Sequence, residues 1–215
     1  MNESFDGVFN ILKNYLDNLY AFFSGRYTPN VRPDDSYYND LKAYTLLSHA
    51  AIEDFFEDIA KRVLVESIKQ WINENKLNDT ILSSIKFIQS KQLNEVLISL
   101  LRFKIENKKK EKGNFYVQFK SLLDEIENGY KKKLDDNNGI RPEKLEKLFE
   151  AVGLDISDDP RLRTSLVLLA DARGDFAHKK KPDNSILKYA NFEDMKNRVD
   201  DVLEICRKVI DQINT

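Results

Sequence analysis

The residues best suited to chemistry lie in one short stretch near the C-terminal end of the chain, residues 170–181. Arg173 and His178 are five positions apart, and His178 is one of only two histidines in the sequence. A histidine has an unperturbed pKa near neutrality, so it can accept or donate a proton at physiological pH. An arginine stays charged and offers a planar fork of N–H donors to phosphate oxygens. Together they are suited to RNA cleavage by the ribose 2′-hydroxyl, in which a proton moves and negative charge builds up on the phosphate.

This predicted reaction needs no metal ion or cofactor, because the nucleophile is already part of the substrate. The histidine would act as general base or acid, and the arginine would stabilise the charge of the transition state. The expected products carry 2′,3′-cyclic phosphate and 5′-hydroxyl ends. Lys179, Lys180 and Lys181 follow directly in the sequence and are candidate contacts to flanking RNA phosphates.

The same basic residues also have a purely structural interpretation. Cations are favoured at helix C-termini because they offset the helix dipole, and the bare Arg-x-x-x-x-His spacing is common by chance. On an ideal helix, five steps of about 100° separate Arg173 and His178 by about 140° around the axis. Gly174 follows the arginine, and because glycine disfavours helix interiors we expect it to loosen the turn. The two side chains could then converge on one cleft at a helix end or meet across a dimer axis, and the spacing alone does not choose between these arrangements.

A second candidate pair lies earlier in the chain. His49 and Glu53 are four residues apart and therefore share a helix face. As metal ligands they lack partners, because no third histidine is free and the one cysteine, Cys206, lies in an amphipathic segment. We expect His49 to pack in the core, Cys206 to be a small buried hydrophobe, and Glu53 to form an internal salt bridge or a helix-end contact. If Glu53 lies near the motif it could orient Arg173, so Glu53 and Asp175 are candidate supporting residues.

Composition favours a folded helical protein. Apolar residues make up 41% of the 215-residue chain, and only 7 glycines and 5 prolines interrupt it, which favours long helices over many short strands. The net charge of −2 excludes a globally basic nucleic-acid binder but is compatible with local basic patches. The N-terminus lacks the pattern of a secretory signal, and no apolar run approaches the ~20 residues that span a bilayer. We therefore expect a soluble, cytoplasmic protein.

Apolar residues recur with a helical period through most of the chain. The predicted helices cover about residues 4–23, 37–75 (as one helix or two), 79–88, 90–103, 115–133, 142–153, 160 to the motif, and 191–214. Ser4, Asp79-Thr80 and Asn191 are the predicted N-terminal caps, and Gly153 is a predicted C-cap residue. Together, these segments predict an all-α bundle of about seven or eight helices. We predict a single domain over residues 1–215, and the charged breaks make residues 76–135 a candidate helical insertion.

The motif and its all-α setting resemble the HEPN superfamily, many of whose members are metal-independent ribonucleases. The Arg-Gly-Asp-Phe-Ala-His form of the motif and the segment 44–53 (YTLLSHAAIE) are closest to the branch associated with RNA repair and bacterial conflict systems. In this superfamily the position after the arginine is often asparagine or another polar residue, where this chain has Gly174. Members that are silenced by tyrosine modification carry a tyrosine two residues beyond the histidine, where this chain has Lys180, so we do not expect that control.

The resemblance implies a function and a set of partners. Arg173 and His178 would be the catalytic pair of an endoribonuclease acting on single-stranded or loop RNA, and two protomers would pair so that both motifs line one cleft. The biological role would be that of a toxin or phage-defence effector, with a cognate antitoxin or defence-system partner. The alternatives are an inactive HEPN module that binds a nucleotide, RNA or a partner protein, and a purely structural helical protein. An active enzyme needs Arg173 and His178 exposed in a shared cleft.

Overall fold

The described part of a computed structural model of the chain is entirely helical. The structure describes residues 4–27, 34–74, 78–87, 112–178 and 191–214, and within them it contains seven α-helices and no strand. The helices are α1 (Phe5–Ser24), α2 (Asp35–Glu74), α3 (Asp79–Phe87), α4 (Lys112–Asp135), α5 (Pro142–Glu150), α6 (Pro160–His178) and α7 (Phe192–Ile213). The prediction of an all-α fold is confirmed. The helix predicted over about residues 90–103 lies outside the described residues.

Three helix boundaries follow from local capping chemistry. The Ser4 hydroxyl caps α1 by accepting a hydrogen bond from the Gly7 N–H at 3.1 Å. Asn191 caps α7 in a capping box with Asp194, in which each side chain accepts from the other residue's backbone N–H. Gly153, with φ of +74°, ends the turn after α5. These three predicted caps are confirmed.

Two details of the predicted helices need correction. The cap of α3 is Asn78, whose side chain accepts a hydrogen bond from the Ile81 N–H at 3.1 Å, and not the Asp79-Thr80 pair. Helix α6 continues through Gly174 to its last residue, so the expected loosening of the turn does not occur. The reason is that a glycine costs a helix only about 1 kcal/mol, while Ala172 and Phe176 on either side of it are buried. Tertiary packing thus outweighs the weak local preference.

One compact unit comprises residues 1–59, 138–146 and 155–215. Within it α6 packs against α7, and α1 packs against α7. Helix α7 buries one continuous apolar face, which includes Cys206, and burial raises the pKa of the Cys206 thiol. The prediction that this cysteine is a buried hydrophobe is confirmed. The part of α2 in this unit contributes fully buried Leu41, Tyr44 and Ile52.

A second compact unit comprises residues 60–137 and 147–154. Its core contains apolar side chains from α3, α4 and the end of α5 (Ile81, Ile85, Leu123, Ile126, Leu148, Phe149). Two buried hydrogen bonds fix the last turn of α5 and the residue that follows the helix: Tyr130 Oη donates to the Leu148 carbonyl at 2.9 Å, and Ser84 Oγ donates to the Ala151 carbonyl at 2.7 Å. The proposed single domain with a helical insertion at about 76–135 stays a prediction. None of the described helices combines the length and apolar character needed to cross a membrane.

Candidate functional site

The motif lies on the last turns of α6. Arg173 is partly exposed on this helix, and His178 is its final residue. Because α6 is continuous, the two positions lie about 140° apart around its axis and do not share one face of the helix. The side chain of His178 and the residues Lys179, Lys180 and Lys181 lie outside the described residues.

The second candidate pair lies on α2. His49 is buried, with 2% of its surface exposed, and its Nδ1 is 3.5 Å from Oε2 of Glu53 one turn later. Glu53 is itself partly buried, with 18% of its side chain exposed. The predicted packing of His49 in the core is confirmed. The internal salt bridge or helix-end contact predicted for Glu53 stays a prediction, because the contact with His49 is an ion pair only when the imidazole is protonated. Among the described residues, no three His, Cys, Asp or Glu side chains are grouped so that they could hold a metal ion.

His49 is electrostatically coupled to the motif. Burial, and secondarily the positive charge of Arg173, lower the pKa of His49 to about 4. The imidazole is therefore uncharged at neutral pH. It can donate and accept hydrogen bonds there, but it is poorly suited to act as a general acid.

Glu53 responds to the same arginine. Burial and the neighbouring charge of Glu57 raise the pKa of Glu53, whereas the positive charges of Arg173 and Lys144 oppose that rise. Arg173 thus acts electrostatically on both His49 and Glu53. The predicted role of Glu53 as a supporting residue for Arg173 stays a prediction.

A short loop before α5 connects the two sides of this cluster. Gly139 in this loop has φ of +147°, a backbone conformation that side chains strongly disfavour, and the position of a Cβ atom there would be 4.0 Å from His49 Nε2. Arg141 forms an ion pair with Asp171, which precedes Arg173 by two residues on α6. The loop thus passes close to His49 at one end and is tied to the motif helix at the other.

Gly174, next to the motif arginine, has space around it. Among the described residues, no atom lies within 4 Å of the position that a Cβ atom of residue 174 would occupy. Asp175, the other predicted supporting residue, is partly exposed one position further on, and its role stays a prediction.

Sequence reasoning missed the residues of the connecting loop. Gly139 was visible only as part of a turn-forming cluster, and Arg141 only as the residue before a helix-starting proline. Asp171 lies two positions before Arg173, but nothing in the sequence identifies its partner. A turn signal predicts that the chain reverses, and it does not tell which buried residue the turn will meet.

An apolar groove on the first unit lies apart from this chemistry. It has a volume of about 450 Å³ and is formed by α1 and α2, with exposed Ile11, Tyr15 and Leu47 at its edges. The only ionisable groups of its lining besides Tyr15 are the carboxyls of Asp54 and Asp58. It therefore has neither a histidine nor a cation for binding and cleaving a phosphodiester.

The described residues form an all-α fold in which Arg173 on α6 is electrostatically coupled to His49 and Glu53 on α2. The family model described as RiboL-PSP-HEPN matches residues 9–215, and the chain belongs to this family. No curated protein and no solved structure matches the chain. The resemblance to the HEPN superfamily is confirmed, and membership supports a nuclease-like or RNA-related module.

Proposed function

We propose that this protein is a metal-independent endoribonuclease that cleaves single-stranded or loop RNA. The observation that carries the proposal is the position of Arg173, which is partly exposed and acts electrostatically on Glu53 and His49. A partly exposed guanidinium can offer its planar fork of N–H donors to a phosphate, and its charge can stabilise negative charge that develops there. Membership of the RiboL-PSP-HEPN family supports the same proposal.

His178 is the proposed proton-transfer residue. It removes the proton from the ribose 2′-hydroxyl, the 2′-oxygen bonds to phosphorus, and the bond from phosphorus to the 5′-oxygen breaks as that oxygen takes up a proton. The products carry 2′,3′-cyclic phosphate and 5′-hydroxyl ends. The other histidine, His49, is unsuited to this role because its pKa is lowered to about 4.

Arg173 is the proposed electrostatic catalyst. Its charge stabilises the extra negative charge of the phosphorane-like transition state. Glu53 supports it from α2, and Asp175 is proposed as a second supporting residue on α6. Lys179, Lys180 and Lys181 are proposed to hold flanking phosphates, an effect that weakens as salt concentration rises.

The proposed active form is a homodimer. Arg173 and His178 occupy positions about 140° apart on one continuous helix, which does not favour a site completed within one protomer. Pairing two protomers allows the arginine of one copy to work with the histidine of the other. On the basis of family membership, we propose that the enzyme acts in the cytoplasm as a toxin or phage-defence effector, controlled by an antitoxin or defence-system partner.

Cleavage of labelled single-stranded RNA in the presence of EDTA tests the proposal. Wild-type protein is compared with Arg173→Ala and His178→Ala, and the matched control is Arg161→Ala, which removes an exposed arginine on the same helix that pairs with Asp201 and Glu204. Fold and oligomeric state are checked for each variant.

We expect cyclic-phosphate ends from wild type and from Arg161→Ala, and no cleavage above background from the other two variants. Cleavage that survives both motif substitutions would place the activity elsewhere. Absence of cleavage by wild type on several RNAs would favour the alternative, a catalytically inactive HEPN module that binds a nucleotide, RNA or a partner protein.

A further inference from the structure

We propose that Arg141, the residue immediately before α5, is an RNA-binding residue that contacts a backbone phosphate on the face of α6 where His178 lies. The proposal rests on the proposed nuclease function for its consequence in cleavage. It adds to that function a basic residue that lies outside the motif. Its basis is the way in which α5 lies along the motif helix.

Two ion pairs place α5 antiparallel to α6. Arg163, early in α6, pairs with Glu146 in the middle of α5. Arg141, just before α5, pairs with Asp171 late in α6. Residue numbers therefore run in opposite directions along the two helices, and α5 begins at the level of Asp171. The last two turns of α6, residues 172–178, extend past the start of α5.

Positions 171 and 178 lie on the same face of α6. Seven residues at about 100° each bring His178 to within about 20° of Asp171, about 10 Å further along the helix axis. Gly174 lies between them and carries no side chain. Arg173 lies about 160° away from Asp171 around the axis. Arg141 is therefore tied to the face of α6 on which His178 lies, and Arg173 is not on that face.

The guanidinium of Arg141 is both held and accessible. Its Nη2 donates to Oδ1 of Asp171, and 47% of the side chain is exposed. Among the described residues this is the only hydrogen bond of the side chain, so most of its five N–H donors remain for a ligand. Arg141 also neutralises Asp171, one of the two carboxylates on this face with Asp175. A planar fork of donors matches the oxygens of a phosphate, which makes an RNA phosphate the expected ligand.

Binding of fluorescein-labelled 2′-O-methyl single-stranded RNA, followed by fluorescence anisotropy over a range of salt concentrations, tests the proposal. This RNA keeps its phosphates but lacks the 2′-hydroxyl nucleophile, so binding is measured without cleavage. The variants are Arg141→Ala, Arg141→Lys and Asp171→Asn. The matched control is Arg163→Ala, which breaks the other ion pair between α5 and α6. The Arg141 carbonyl, which accepts from two N–H groups of the first turn of α5, is kept in every variant.

We expect Arg141→Ala to weaken binding about 10-fold and to reduce the slope of log K against log salt by about 0.7, the value for one phosphate contact on a single strand. Arg141→Lys should keep the slope, because it keeps the charge. Asp171→Asn keeps the arginine and removes a negative charge, so it should not weaken binding. An Asp171→Asn variant that binds as poorly as Arg141→Ala would overturn the proposal, because the ion pair and not the cation would then matter. So would an Arg141→Ala variant that binds as well as Arg163→Ala.

The two proposals fail separately. If wild type binds the 2′-O-methyl RNA but cleaves no RNA that has 2′-hydroxyl groups, the nuclease proposal fails, and the binding comparison alone decides the role of Arg141. If wild type cleaves RNA and Arg141→Ala matches Arg163→Ala in affinity, salt slope and KM, only the proposal for Arg141 fails. A wild type that does not bind the 2′-O-methyl RNA would also refute the role of Arg141, whatever the cleavage assay shows.

Discussion

The α2 side and the α6 side of the candidate site are built in opposite ways. On the α2 side, His49 is 2% exposed and faces a loop whose glycine has a positive φ. On the α6 side, Arg173 is partly exposed, and no atom of the part of the chain that the structure describes lies within 4 Å of the Cβ position of residue 174. The comparison teaches that the ionisable groups on α2 are enclosed, whereas the arginine on α6 is partly open to solvent. Substitutions and pH should therefore act strongly on the first side and weakly on the second.

The largest expected effect is the pH dependence of stability that comes from His49. Its pKa is lowered to about 4 in the folded chain from an ordinary value of 6.5. Between these values the unfolded chain binds a proton at His49 and the folded chain does not. Stability therefore falls as pH falls through this window, by up to about 3 kcal/mol. The raised pKa of Glu53 acts in the opposite direction, because it favours the folded state at lower pH and that contribution is lost as pH rises.

Denaturant unfolding at pH 7 and at pH 4.5 measures this effect. His49→Asn cannot titrate, so the loss of stability between the two pH values should be smaller in this variant than in wild type. Thr45→Val, which leaves the imidazole in place, should keep the wild-type loss. An identical loss in wild type and in His49→Asn would mean that His49 is not the group responsible.

The next largest effect is expected at Gly139. A Cβ atom there would have enough space, since its nearest neighbour is His49 Nε2 at 4.0 Å. The cost of Gly139→Ala therefore comes from the backbone, because φ of +147° is strained for any residue with a side chain. We expect a loss of about 2 kcal/mol in the free energy of unfolding. Equilibrium unfolding in urea measures it, and a loss below about 0.5 kcal/mol would mean that the loop relaxes without strain.

The α6 side of the site could be predicted from the sequence because its residues are contiguous. Arg173, Gly174 and His178 lie within six residues, and their helix could be predicted from its apolar period and its starting proline. The prediction that Gly174 loosens the helix was wrong, because it gave too much weight to the low helix propensity of one glycine. Local propensity favours a break at Gly174, but the burial of Ala172 and Phe176 keeps the helix intact.

The closed side could be predicted only in part. The burial of His49 follows from its place in an apolar helical pattern, and the helical spacing of His49 and Glu53 predicts that they share a face. Their electrostatic coupling to Arg173 does not follow from the sequence, because it depends on the tertiary arrangement of α2 and α6, and these helices are far apart in the sequence. The role of Gly139 was hidden for the same reason, since a turn signal carries no information about tertiary neighbours.

Substitution of Gly174 is expected to raise the free energy of unfolding, by less than Gly139→Ala lowers it. Gly174→Ala adds a methyl group into open space and replaces the poorest ordinary helix former inside α6. We expect a gain of about 0.5–1 kcal/mol in the free energy of unfolding, measured by the same urea titration. RNA cleavage should be unchanged if the approach to Arg173 has room to spare. A loss of stability would mean that this side is closed in solution, for example by a second copy of the chain.

The smallest effect is expected for the ion pair between Arg141 and Asp171. The two side chains are 47% and 43% exposed, so water and salt screen their attraction. A double-mutant cycle with Arg141→Ala and Asp171→Ala should give a coupling of about 0.5 kcal/mol that decreases with added salt. Such a value would mean that the loop is held mainly by the buried contacts and backbone conformation at Gly139. A coupling above about 2 kcal/mol would contradict this interpretation. The exposed ion pair between Arg141 and Asp171 would then be the main interaction that holds the loop.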